Sequence, residues 1–302
     1  MTALDPRLLH LLERLDALLP GPIQVDWSAA VAWRWRRRPT GLGSQAMLQP
    51  VHHRSDITLD DLHHIDEARS LVERNTRQFV QGLPANNVLL TGSRGTGKSS
   101  LIKACLNAYA ARGLRLIEVD KSDLTDLPDI VDLVANRPER FIVFCDDLSF
   151  EEGEAGYKGL KVALDGSVAA ASDNLLIYAT SNRRHLMPER MSENLAAHHT
   201  EDGEVHPAET SEEKISLSER FGLWVHFYPF RQDDYLDVVA HWLRHLGCSD
   251  REIEQARGDA LRWALERGSR SGRVAWQFAR DWAGRHRLPG TRRGPKGARR
   301  KG

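Results

Sequence analysis

The 302-residue chain has few cysteines, no net charge and no long hydrophobic run. Cys105, Cys145 and Cys248 stand singly inside apolar or helical patterns, which excludes a disulfide framework and a CxxC metal knuckle and points to reduced, buried thiols in the cytoplasm. Lysine plus arginine and aspartate plus glutamate number 42 each, so no global field is directed at nucleic acid or membrane. Nowhere do about 18 uncharged apolar residues follow one another. The N-terminal "MTALDPRLLHLLERL" carries charges throughout its apolar stripe, so neither an export signal nor a membrane contact is expected. "HHIDE" is not HExxH, which removes the zinc-peptidase helix. His198, His199 and His206 have a spacing that matches no compact ligand set, and the carboxylates beside them serve a solvated loop equally well.

What is present is organised in four parts. Asp5-Pro6 reads as an N-cap followed by proline at the first helical position, and Leu8, Leu11, Leu12, Leu15, Leu18 and Leu19 mark one face. A second short helix is expected over "DWSAAVAWRWRRR", making residues 1–55 an N-terminal helical segment. Its tryptophans can stack on nucleic-acid bases or pack onto the next domain while the arginines stay wet. From Thr58 to about Gln81 the pattern is that of a long amphipathic helix. Then short, nearly all-apolar strands alternate with helices: "VLL", "LRLIEV", "FIVFCD", "LLIYAT" and finally "LWVHFYPF". This predicts a doubly wound α/β domain over 56–230, a parallel sheet with helices on both faces. Residues 191–213, polar and rich in histidine and acid, read as an exposed insertion. Residues 231–286 carry three helical stretches and no strand, the pattern of a small helical lid. Residues 287–302 fall in a basic, Gly- and Pro-containing tail expected to be disordered.

The most legible stretch is "GSRGTGKSS", Gly92, Ser93, Arg94, Gly95, Thr96, Gly97, Lys98, Ser99 and Ser100, which follows a strand and opens a helix. Glycines let backbone N–H groups approach a phosphate chain, and the helix N-terminus adds its dipole. Lys98 bridges the outer phosphates and the Ser99 hydroxyl reaches Mg²⁺. A magnesium-bound triphosphate needs a carboxylate on a neighbouring strand end, and "RFIVFCDD" supplies Asp146 for the magnesium shell and Asp147 to polarise the attacking water. Glu151 and Glu152 are alternative bases. "LLIYATSN" ends at Asn182, placed to hold that water and sense the terminal phosphate. "SLSERFG" sets Arg220 on a short turn, from which an arginine can be offered in trans to a neighbouring subunit. Arg273, opening the helix "GRVAWQFARDW", can reach from the lid to the phosphates, and Arg270 competes for that role. Each has a plainer reading: a solvated strand end for the acids, a turn for Asn182, a surface ion pair for Arg220.

Taken in order, these motifs resemble the Walker A, Walker B, sensor 1, arginine-finger and sensor 2 stations of an AAA+ ATPase. More closely, "ANNVLLTGSRGTGKSSLIKA", "FCDDLSFEEGEAGYKGLK", "IYATSNRRHLMPERM" and "EEKISLSERFGLW" resemble a bacterial AAA+ group, domain-of-unknown-function family 815, over roughly residues 30 to 288. The resemblance implies a five-stranded parallel sheet, a helical lid, ATP between them beneath a neighbouring subunit, and a homo-oligomer. His63-His64-Ile65 departs from the Ile-Gly of many AAA+ members on the adenine side.

The expectation is an ATP-binding and ATP-hydrolysing AAA+ protein that couples nucleotide to conformational change. Two alternatives stay open. One is an ATP-dependent nucleic-acid-associated factor of the loader or transposition-helper kind, using the basic tail and "WRWRRR". The other is a nucleotide-gated scaffold with little hydrolysis, presenting the N-terminal helices or the acidic insertion to a protein partner. Tyr157 in "GEAGYKG" is the sole aromatic-glycine candidate for a pore loop, and it equally suits a turn before a helix.

Overall fold

A computed structural model describes residues 10, 23–40, 43–150, 154–165, 173–182, 198–199, 205–206 and 219–287 of the chain. Leu8, Leu11, Leu12, Leu15, Leu18 and Leu19, the bases Glu151 and Glu152, most of the 191–213 insertion and the tail beyond Arg287 lie outside them. The two-residue strands β7 (His198–His199) and β8 (Val205–His206) pair with each other.

The centre is a sheet in the order β2-β1-β4-β5-β6-β3-β9. Its strands are β1 (Ala32–Thr40), β2 (Gly43–Pro50), β3 (Val88–Gly92), β4 (Leu114–Glu118), β5 (Arg140–Cys145), β6 (Leu175–Ser181) and β9 (Leu223–Phe227). The five strands β4-β5-β6-β3-β9 are parallel throughout. That run is the five-stranded parallel sheet that the resemblance implies, and it is apolar because both its faces are covered. One face packs on α1 (Asp66–Val80) and α2 (Lys98–Tyr109) through Val72, Phe79, Leu101 and Cys105, and the other packs on α3 (Leu127–Val134) and α4 (Ala155–Asp165) through Ile130, Val134 and Leu160. Asn75 of α1 donates to the Tyr178 hydroxyl of β6 at 3.0 Å, a polar tie inside the first layer.

Two expectations are corrected. The stretch around "AWRWRRR" is a strand, not a helix. Trp33 and Trp35 are buried at 1% and 0% exposure, Arg34 and Arg36 point the other way, and only a period of two separates them so. β1 runs parallel to β4 and antiparallel to β2, adding two strands to the five implied by the resemblance. Trp33 and Trp35 are core: half-buried Trp27 meets Trp33 and Phe141 edge-to-face, and Trp35 Nε1 donates to buried Asp126 at 2.8 Å. Arg34 and Arg36 pair with Glu118 and Asp120, and Arg37 pairs with Asp126.

The second correction concerns the helix expected from Thr58. Thr58 and Asp61 close a capping box around a single 3-10 turn, Leu59–Asp61, and His64 takes a left-handed φ of 59° that no helix continues through. α1 starts only at Asp66. Tyr157 sits in the first turn of α4, ring-to-ring with Phe150 at 5.9 Å.

The C-terminal helices α5 (Gln232–His245), α6 (Asp250–Glu266) and α7 (Gly272–Arg287) surround a core of their own that includes Tyr235, Leu243, Ala260, Phe278 and Trp282. Arg287 is the last residue of α7. Among the described residues, no helix is long and apolar enough to cross a membrane.

Candidate functional site

The site is built at the C-terminal edge of the sheet, where β3, β6 and β5 end side by side. The loop after β3 needs glycine for a backbone reason. Gly92, Gly95 and Gly97 have φ of 121°, 75° and 103°, the region that excludes most side chains. Gly92 also passes so close to β9 that a Cβ there would lie 2.0 Å from the Phe227 carbonyl oxygen. Gly97 caps α2, so the first N–H groups of a 12-residue helix face the loop.

Lys98 turns back under this loop. Its Nζ donates to the carbonyls of Gly92 and Ser93, each at 2.7 Å, and to Asn182 Oδ1 at 3.0 Å. It is 6% exposed. Burial pushes the ammonium down to about 8, Asp147 and Asp146 pull it back up, and the charges of Arg273 and Arg94 press it down. A cation held this poorly by its surroundings attracts an anion.

The Ser99 hydroxyl donates to Asp146 Oδ1 at 2.6 Å, so a hydroxyl and a carboxylate from two different elements converge beside the loop. Asp147 follows with a left-handed φ of 54°. Its N–H donates to Thr180 Oγ1 at 2.9 Å, its carboxylate accepts from Asn182 Nδ2, and Arg94 stands 3.7 Å away. Thr180 in turn donates to Asp146 Oδ1 at 2.6 Å. Lys98, Ser99, Asp146, Asp147 and Asn182 thus form one hydrogen-bonded cluster. Thr180 is a member that sequence reasoning missed, since a threonine inside a strand reads as a β-former.

The C-terminal helices close on the same loop. Gly272 N–H donates to the Gly95 carbonyl at 2.8 Å, and a Cβ on Gly95 would come within 2.8 Å of Ser271 Oγ and 3.4 Å of Arg273 Cβ. Of the two arginines considered from the sequence, Arg273 is the one whose charge acts on Lys98; Arg270 is exposed at the turn before α7. On the segment before α1, His64 lies 3.3 Å from both Asp234 and Asp237 of α5, and His241 of α5 lies 3.1 Å from Asp61. His63 lies tilted against His241 with ring centres 4.3 Å apart, and burial, followed by the charges of His241 and His64, lowers its pKa.

Arg220 is not brought into this cluster. It precedes β9, whose Leu223 pairs with Val88 at the start of β3, so the five residues of β3 separate it from the loop by about 16 Å. Its Nε donates to Asp165 at the end of α4. The turn after it is tight, since a Cβ on Gly222 would lie 2.3 Å from Asn86 Oδ1. Arg220 lines a cleft of about 830 Å³ with Arg140, Leu83, Pro84 and Val162 at that opposite end.

A family model described as "Protein of unknown function (DUF815)" matches residues 28–286. No curated protein matches the chain. Among solved structures, the Thermotoga maritima RuvB Holliday junction branch migration motor is 13% identical with a TM-score of 0.45, covering 74% of this chain and 63% of its own. A chain of the E. coli MS115-1 HORMA:CdnC:Trip13 complex is 13% identical with a TM-score of 0.47, at 74% and 90% coverage. A DNA replication initiation factor is 15% identical with a TM-score of 0.41, at 69% and 61%. At such identity the likeness is one of chain course, and what those proteins act on stays with them.

Proposed function

The chain belongs to the family described as protein of unknown function (DUF815), and from that premise we propose that it is an ATP-binding, ATP-hydrolysing AAA+ protein coupling nucleotide to conformational change in a homo-oligomer. The observation that carries this reading is the single cluster of Lys98, Ser99, Asp146, Asp147 and Asn182 beneath a loop of left-handed glycines.

On this reading the loop N–H groups and the start of α2 hold the phosphates, and Lys98 turns from its carbonyl acceptors to the outer phosphate oxygens. Ser99 and Asp146 offer hard oxygen donors 2.6 Å apart, a set that fits Mg²⁺, which takes one or two protein ligands and completes its shell with phosphate and water. Bound there, Mg²⁺ neutralises charge on the phosphate oxygens. Asp147 accepts a proton from the attacking water, and Asn182, one bond away, orients it. Arg273 follows the C-terminal helices onto the nucleotide. Arg220 stands at the far end of the sheet, where it reaches a nucleotide only on a second copy of the chain. Cys105, Cys145 and Cys248 as free thiols accord with a cytoplasmic setting.

The test is steady-state phosphate release over a protein concentration series, with Lys98→Ala and Arg220→Ala. Activity per chain rising with concentration and lost in both variants, while Arg220→Ala still binds ATP, is the expected result. Tight ATP binding without release at any concentration refutes hydrolysis. It would leave the second reading, a nucleotide-gated scaffold, which one observation favours: the Asp147 carboxylate is already engaged by Asn182 and Arg94. The nucleic-acid reading loses one support, because the tryptophans of "WRWRRR" are core and Arg34, Arg36 and Arg37 are ion-paired. Its other support, the basic tail, lies outside the described residues.

A further inference from the structure

We propose that Thr180 is a positioning residue that sets both carboxylates of the site through one hydroxyl, an inference that rests on the ATPase reading above. Thr180 lies in β6, two residues before Asn182, and is 1% exposed. Its Oγ1 donates to Asp146 Oδ1 at 2.6 Å and accepts the Asp147 N–H at 2.9 Å. The direction of both bonds follows from chemistry: a backbone N–H only donates and an ionised carboxylate only accepts, so the hydroxyl proton points at Asp146.

Two consequences follow for the reacting groups. Ser99 Oγ and Thr180 Oγ1 both donate to the same oxygen, Oδ1 of Asp146. Two donors on one oxygen fix the rotation of the carboxylate and leave Oδ2 for another partner. Asp147 sits at φ 54°, a region costly for a residue with a Cβ, and such a conformation persists only when its surroundings over-determine it. Thr180 supplies that from two sides, since its carbonyl also accepts the Leu148 N–H at 2.7 Å. One residue thereby holds the peptide on each side of Asp147 and the carboxylate before it. Valine has the same shape without the hydroxyl and would strand the Asp147 N–H; serine keeps the hydroxyl.

The experiment compares full-length wild type, Thr180→Val and Thr180→Ser, with melting temperatures to establish folding and Thr180→Ala replacing the valine variant if that one fails to fold. Two quantities are read: the gain in affinity for a fluorescent ATP analogue when Mg²⁺ replaces EDTA, and phosphate release against Mg²⁺ concentration. In EDTA all variants should bind alike, because the loop and Lys98 are untouched. With Mg²⁺, Thr180→Val should lose most of the affinity gain and need about 10- to 100-fold more Mg²⁺, the range seen when partners that orient metal ligands are removed. Thr180→Ser should stay near wild type. Wild-type Mg²⁺ dependence in Thr180→Val, or equal damage in Thr180→Ser, overturns the inference. If wild type gains affinity from Mg²⁺ but releases no phosphate, hydrolysis falls and the affinity gain still decides Thr180. If wild type gains nothing from Mg²⁺, the assignment of Asp146 and this inference fall together.

Discussion

Lys98 sets stability against binding, and the conflict has a measurable pH signature. In the folded chain burial holds its ammonium down to about 8; in an unfolded chain lysine titrates near 10.4. Between those values the unfolded state binds more protons, so stability must rise with pH across that window. The gap corresponds to about 3 kcal/mol, fully lost below pH 8 and recovered by about pH 10.5. With Lys98 only 6% exposed, little of that is screened by solvent. The perturbation is Lys98→Met, which keeps the stem and removes the titration, so that subtracting the variant cancels every other group. The assay is thermal or urea unfolding of nucleotide-free protein in EDTA from pH 7.5 to 10.5. Wild type should gain about 3 kcal/mol on the variant over that range, roughly 6–12 °C in Tm at the usual sensitivity of a domain of this order. A margin that stays flat or falls with pH refutes the argument. Saturating Mg²⁺-ATP should flatten the trend, because phosphate favours the charged form.

Gly92→Ala places a Cβ 2.0 Å from a backbone oxygen at φ 121°, so unfolding should show a loss of about 3 kcal/mol or more together with loss of ATP binding. Gly258→Ala, in the exposed middle of α6 with nothing within 4 Å, should instead gain about 0.5–1 kcal/mol; if the two behave alike, the backbone account of the loop is wrong. Arg37→Ala leaves Asp126, 2% exposed, with the indole of Trp35 and the hydroxyl of Thr125, and should cost about 2–3 kcal/mol in chemical denaturation; an unchanged midpoint would remove the hairpin from the stability of the sheet. Mixing Arg220→Ala, whose nucleotide cluster is intact, with Lys98→Ala, which keeps its arginine, should restore phosphate release that neither shows alone. Arginine fingers account for about 10³- to 10⁵-fold in rate, so even partial complementation is detectable. No recovery in the mixture argues against an arginine acting in trans.

Legibility followed how local the physical requirement was. The phosphate loop could be read because each glycine answers a backbone demand at its own position, φ of 121°, 75° and 103° at Gly92, Gly95 and Gly97. The five parallel strands could be read because strands covered on both faces are apolar along their whole length. Strand β1 is hard to read because alanines precede Trp33 and arginines crowd its outer positions, although from Trp33 to Arg36 burial alternates with a period of two. The long helix expected after Thr58 is interrupted between the 3-10 turn and Asp66, where Leu62 is extended and His64 is left-handed, a break no periodicity announces. Thr180 was invisible because its role depends on Asp146 and Asp147, about 33 residues away along the chain, which only strand order brings near. Arg270 and Arg273 are separated only by tertiary placement, the charge of Arg273 acting on Lys98 while Arg270 is exposed before α7.

The cluster at the loop satisfies its charges within one chain: Lys98 donates to Asn182, Asn182 to Asp147, and Arg94 stands beside Asp147. A triphosphate competing for Lys98 takes the donor away from the Asn182 amide oxygen, and Asn182 is the same residue that holds the Asp147 carboxylate. On the proposed reading, phosphate binding and release of Asp147 are therefore linked through Asn182. The C-terminal helices are joined to the same loop, since Gly272 is bonded to Gly95, and His64 and His241 tie α5 to the segment before α1. Arg220 is left out of this chain of contacts, being about 16 Å away at the opposite end of β3. On the proposed reading, nucleotide alone arms the site and a second copy completes it, so turnover should depend on assembly even at saturating ATP. That dependence separates this arrangement from one in which a single chain supplies every charge it needs.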